Sequence, residues 1–397
     1  MAGWSPKGVW NRLNRGIDHW LTFPEPNAAG NMGLFRVLYA MFYLWTISDY
    51  TPANLHEVPY ELDWPIILNQ WIPERPPPEF FELLGTAQVA GLVLLLFGYR
   101  TRIATAVVLI AGGLLESYFV SVDIEHASLF LTAYIPFFML VCGDWGATYS
   151  FDALLKRRRG QATVDHGDTS PRFVIPTRAC LVLLSALYLS AAIFKVVQWD
   201  HWFGQDQYMA LDALTRRVEA AMRGFTLNPL TLPPYEINAL DVGSRWGIAA
   251  FEISVFLAMI NNRLRAFYTA SALIFHAMSA LWFLVTFTSL VVVYCMFINW
   301  EALIPESIRR GRRDISAPSI VLHGAPVVAA VLVAFVWHEW NTIQEALWFG
   351  GLLDPRRFWF PVFPFACVWW IACLWRLVRD PRAAFRPDVY PAAGARA

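Results

Sequence analysis

Apolar blocks of roughly 17–25 residues recur along this chain, each long enough to cross the hydrocarbon core of a bilayer as a helix. Ten are read, at about 33–50, 80–99, 103–122, 127–143, 178–197, 246–260, 266–285, 287–302, 319–338 and 358–376. Only 16% of the residues are charged and 57% are hydrophobic, against about 25% and 45–50% in ordinary soluble domains. The expected fold class is therefore all-α, a polytopic transmembrane helical bundle. Formal net charge is zero, which gives no electrostatic reason to expect a nucleic-acid partner.

Lysine and arginine sort between alternate loops, 22 on the side of the N-terminus against 7 on the other. The positive-inside rule then places both termini in the cytoplasm. The same asymmetry divides the long apolar run 266–302 at "TFTS", because an undivided helix would invert everything after it. Three regions follow: a cytoplasmic interfacial segment (1–32), a membrane domain (33–303), and two further helices with a short basic cytoplasmic tail (304–397).

The opening "MAGWSPKGVWNRLNRGIDHW" lacks the apolar core of a cleavable signal and reads as a helix lying in the interface. The cytoplasmic stretch "FDALLKRRRGQATVDHGDTSPRF" reads as a basic surface anchor and linker. Two large outer loops, 51–79 and 198–245, suit either a lid or plain interfacial packing; the second holds the amphipathic "DQYMALDALTRRVEAAMRGF". The five cysteines form no CxxC pair and read as small buried hydrophobes.

An ionisable side chain inside a spanning segment costs at least about 2.5–3.5 kcal/mol on insertion scales, so each needs a compensating role. The candidates are Arg36, Glu116, His126, Lys195, Glu252, His276, His323 and His338. At 1.5 Å per residue, Lys195 lies about 25 Å from the cytoplasmic start of its helix, near the outer edge. Glu252, His276 and His126 fall on three other helices at depths that permit convergence in the outer half of the bilayer. Blander roles compete: Lys195 snorkelling to headgroups, His276 bonding a neighbouring helix, and His126 capping a helix mouth beside Asp123 and Glu125. HExxH and HxxE spacings are absent, as are a GxSxG elbow and a phosphate-binding glycine loop. No metal is expected, and a haem held by His126 and His276 has no specific support.

The chain resembles the HTTM family, the membrane domain of vitamin K-dependent gamma-carboxylases and their bacterial relatives. The pieces that carry the likeness, in order, are "GLFRVLYAMFYLW", "GYRTRIA", "DIEHASLFLTAYIPFFMLVCGDWGATYSFDAL", "LYLSAAIFKVVQWDHW", "GIAAFEISVFL" and "FHAMSALWFLVTFTSLVVVYCMF", together covering about 30–303. The resemblance implies binding of a reduced naphthoquinone (vitamin K or menaquinol) and its reaction with oxygen. The strong base so formed takes a proton from a protein glutamate, which adds carbon dioxide. It implies Lys195 as the base toward the hydroquinone, with His126 and His276 as catalytic partners. Arg36, Glu252, Trp199 and Trp202 are the residues expected against the cofactor. An ammonium cannot accept a proton, so Lys195 must be held uncharged by burial. Glu252 is accordingly expected to pair with His276 or Arg36 rather than with Lys195.

Departures from the family are Phe194 in place of a second lysine, Glu125 in place of an asparagine, and no large extracytoplasmic domain before Ala397. Phe194 and Glu125 are expected to alter the charge around the site, and capture of a propeptide-bearing protein is not expected. The anticipated place is a bacterial inner membrane, with the site toward the outer side and lipid and quinone as partners. The rival readings are a non-catalytic quinone- or lipid-binding protein, a subunit of a membrane redox assembly, and a transporter or structural partner.

Overall fold

A computed structural model describes residues 6–47, 76–122, 128–198, 238–283, 287–303 and 355–380. The described residues are helical with connecting turns and contain no strand. The helices are α1 (Pro6–Thr22), α2 (Ala28–Ile47), α3 (Pro78–Phe97), α4 (Thr101–Val122), α5 (Ile135–Val141), α6 (Phe151–Arg158), α7 (Pro171–Val197), α8 (Asn238–Ser254), α9 (Asn262–Phe283), α10 (Thr288–Cys295), α11 (Trp300–Leu303) and α12 (Pro355–Arg379). They divide between two compact units. The first holds the described residues up to Cys180 with 292–303; the second holds those from Leu181 to Val291 with 355–380. The expected domain 33–303 thus contributes to both.

Four of these helices are long and apolar enough to cross a membrane, over Pro78–Phe97, Thr101–Tyr118, Pro171–Val197 and Val362–Arg379. Their outward positions carry Leu83, Ile103, Ile110, Val182, Leu189, Val368, Ile371 and Val378, all exposed. Water would oppose such a surface, whereas lipid solvates it.

The expectation of ten full-length spans is corrected: among the described residues four helices qualify, and three of the expected blocks are broken. The block at 246–260 leaves α8 at Ser254 for a 3₁₀ turn, Val255–Met259. The block at 127–143 folds as a π-helical turn, Phe130–Tyr134, followed by the seven-residue α5. Phe130–Val141 is a short apolar helix of about 18 Å at 1.5 Å per residue, against a core of about 30 Å. The block at 287–302 is also broken. Helix α10 tightens at its end, Met296 N–H reaching Val293 and Phe297 N–H reaching Tyr294. Asn299 then accepts from Ala302 N–H at 3.2 Å and starts α11 afresh. An asparagine that satisfies first-turn donors ends one helix and opens another. The 319–338 block lies outside the described residues.

In the first unit, α3 and α4 form a hairpin closed by the "GYRT" turn. Gly98 takes a left-handed conformation (φ 65°), and its N–H and that of Tyr99 close back onto Leu95 and Leu94. Asp152, from the "YSFD" motif, accepts from Arg100 N–H (2.8 Å), Thr101 N–H (2.9 Å) and Thr101 Oγ1–H (2.8 Å), capping α4 from a distant segment. Arg36 completes the junction. Fully buried, it donates to the carbonyls of Trp145 (3.1 Å), Thr148 (3.4 Å) and Tyr149 (2.5 Å).

A Cβ on Gly98 would run into the Arg36 guanidinium and Ser150. Gly98→Ala is therefore expected to destabilise the protein by at least about 2 kcal/mol, the left-handed cost plus the displacement of a buried cation. Denaturant unfolding in detergent measures this; an unchanged midpoint would show that the junction yields freely.

Candidate functional site

Lys195, Glu252 and His276 lie in the second unit, on α7, α8 and α9. Helix α7 buries Leu181, Leu184, Ser185, Tyr188, Ala192 and Lys195. These positions repeat at three- and four-residue steps, the inner face of a helix. Lys195 continues an apolar stripe, and its inward direction follows from register. Its residue exposure is 9%, while Phe194 beside it is 56% exposed. Neighbouring residues on a helix point about 100° apart. Phe194 therefore lies on the outer face of α7, away from the Lys195 stripe.

Helix α8 presents Arg245, Ala249 and Glu252 on its buried side at the same steps. Lys195 Nζ donates to both oxygens of the Glu252 carboxylate at 2.7 Å. This overturns the expected pairing of Glu252 with His276 or Arg36, and it also overturns snorkelling of Lys195 to headgroups. The physical reason is mutual. A carboxylate and an ammonium on facing buried stripes each lose hydration, and direct pairing removes the net charge that burial penalises. The expectation ranked an uncharged amine first and paired the acid elsewhere; the packing ranks neutrality of the pair.

Two helical turns before Lys195, at a spacing of seven, Tyr188 meets α9. Its hydroxyl shares a 2.8 Å hydrogen bond with His276 Nε2, both side chains buried. Phe251, next to Glu252, packs edge-on to Tyr188 at 5.4 Å between centroids and lies 5.6 Å from Phe275 and 6.3 Å from Tyr268. Phe287 closes on the His276 ring at 4.9 Å. The unit thus holds two buried polar pairs, Lys195 with Glu252 and, among aromatic rings, Tyr188 with His276.

Arg36 belongs to the first unit, with its hydrogen bonds on backbone carbonyls rather than on Glu252. Glu116 is also there, bonded by Ser128. His126, Trp199 and Trp202 lie outside the described residues, as do Asp123, Glu125, His323 and His338. Tyr188 was not singled out by sequence reading, although its seven-residue offset from Lys195 on one apolar helix was a sufficient signal. A second cluster was also missed. In the first unit Glu301, almost wholly buried, accepts from Tyr149 O–H at 2.5 Å and stands 3.6 Å from His166 Nδ1. The carbonyls of His166 and Asp168 accept from Gly30 and Ala29 N–H, so this cluster closes a loop over the start of α2. No signal marked Glu301, because its partners are 152 and 135 residues away.

Comparison of the chain with protein-family models, with curated proteins and with solved structures finds no match.

Proposed function

We propose that this is a polytopic integral membrane protein of the HTTM type. Its Lys195–Glu252 pair takes a proton from the hydroxyl of a lipid-soluble aromatic ligand, a reduced naphthoquinone being the class that the resemblance implies. The buried two-oxygen contact between Lys195 and Glu252 carries this reading. The residues fit such a ligand in kind: an acid–base pair with no net charge, and the aromatic cluster of Tyr188, Phe251, Phe275 and Phe287 beside His276.

A buried pair of this type can hold its proton in two ways, as ammonium with carboxylate or as amine with carboxylic acid. Water strongly favours the first; loss of hydration narrows the gap, because only the first is charged. In the second form Nζ offers a lone pair to a ligand hydroxyl, and Glu252 retains the proton it has received. After Nζ takes the ligand's proton, its ammonium stands ready to balance the charge left on the ligand oxygen. Tyr188, two turns earlier on the same face of α7, shares its hydrogen bond with His276 on α9 and offers a second donor–acceptor site. A bound reduced naphthoquinone supplies electrons to oxygen; in the resembled family that power drives glutamate carboxylation by carbon dioxide.

The test uses membranes containing the native, Lys195→Ala or Glu252→Gln protein with menaquinol, oxygen and labelled carbon dioxide. Lysine-dependent quinol epoxidation is expected, falling about 100-fold or more in Lys195→Ala, the scale of a lost general base. Incorporated label would extend the reading to carboxylation. Equal turnover in all three membranes would overturn it. The direct pairing also favours a second reading, in which quinone or lipid binds without turnover and the ion pair only ties α7 to α8. Unchanged menaquinol affinity in Lys195→Ala, with no product from either protein, would select it.

A further inference from the structure

We infer that the first unit carries a seat for anionic phospholipid headgroups, formed by the cationic run Lys156–Arg159 and the amphipathic helix α1. The observations are separate from the Lys195 site and independent of the proposed chemistry.

The run comprises Lys156, Arg157, Arg158 and Arg159, all exposed, in and just after the last turn of α6. Among the described residues none of the four forms an ion pair. The neighbouring acids are already engaged. Asp152 caps α4; Asp168 accepts from Ser170 N–H and pairs with Arg172 at 3.4 Å; Glu25 receives Arg178 at 3.1 Å; Asp165 accepts from Gly167 N–H at 3.3 Å. Four positive charges are thus left for an external partner. A short loop joins the run to the start of α7, a helix long and apolar enough to cross a membrane, so the charges stand at the end where that crossing begins.

Helix α1 is held at the same end. Arg178, in the second turn of α7, bonds Phe23 O at 3.0 Å and Glu25, and its guanidinium lies 5.2 Å from the Trp20 ring centroid. Beyond that tether, α1 leaves Trp10 61% and Ile17 47% exposed. Seven residues apart, they share one side of the helix by register, while Arg15 falls on the opposite side. Exposed tryptophan and isoleucine belong at headgroup depth, and each cation beside an anionic leaflet adds attraction that salt screens. A phosphodiester surface satisfies both halves. A nucleic acid would satisfy the cations and leave Trp10 and Ile17 in water.

The experiment reconstitutes the full chain in phosphatidylcholine vesicles and adds trace spin-labelled phosphatidylglycerol or phosphatidylcholine. The fraction of each label immobilised by the protein is then read. Several-fold selection of phosphatidylglycerol is expected, weakening as salt rises. It should be retained in the R157K/R158K/R159K variant and lost in the K156Q/R157Q/R158Q/R159Q variant. A nitroxide on Trp10→Cys, in a background lacking the other cysteines, is expected to collide more with oxygen than with an aqueous nickel complex. Equal immobilisation of the two lipids by the native protein overturns the inference, as does salt-independent selection. So does a water-exposed nitroxide, or capture of a labelled RNA oligomer without lipid selection. Should the glutamine variant fail to insert, the native protein's salt dependence and the nitroxide depth still decide.

Discussion

Glu252→Gln alone is expected to destabilise the protein by about 3–5 kcal/mol, the cost of leaving one partner of a buried ion pair uncompensated. The affected cation is Lys195, whose Nζ contacts both carboxylate oxygens at 2.7 Å. Lys195→Met alone is expected to cost a similar amount, for the mirror reason. The double variant Lys195→Met/Glu252→Leu should recover most of the loss, because an apolar pair of similar volume has no charge to desolvate. Denaturant unfolding of the four proteins in detergent closes the cycle. Additive losses in the double variant would mean that the two side chains do not act as a pair. The same series separates stability from chemistry: the double variant should fold well and turn over no quinol.

The second large effect is expected at Arg36. Arg36→Met removes the donors from three buried carbonyls, those of Trp145, Thr148 and Tyr149. Each carbonyl left without a partner costs about 1–3 kcal/mol, so a total loss of about 3–9 kcal/mol is expected for the three. Arg36→Lys should fall between the two, since an ammonium supplies donors from one point and cannot reproduce the planar fork. Hydrogen exchange provides the local readout: amides of 145–153 and of the α4 start should lose protection first, because Asp152 holds that start from the same segment. Uniform loss across the unit would deny Arg36 its local role.

Much of the helical framework is legible in the chain because apolar length is a local property. The blocks near 80–99, 103–122, 178–197 and 358–376 all became long helices, since a continuous run of good apolar side chains carries its own signal. The broken blocks at 127–143 and 287–302 show the limit. Pro136 and Asn299 were visible, yet hydropathy averages over them and reports a span where the backbone turns. Lys195, Glu252 and His276 stood out for a similar local reason, as rare ionisable groups in apolar surroundings.

The sequence by itself determined that α7, α8 and α9 would be apolar helices, each bearing a polar side chain that had to be turned inward or compensated. Which group answers which was decided by tertiary structure alone. Glu252 took Lys195, His276 took Tyr188, and Arg36 took three carbonyls more than 100 residues away. Helical register sets the direction of a side chain from local geometry, whereas the choice of partner depends on how whole helices pack, and no window of sequence contains that information.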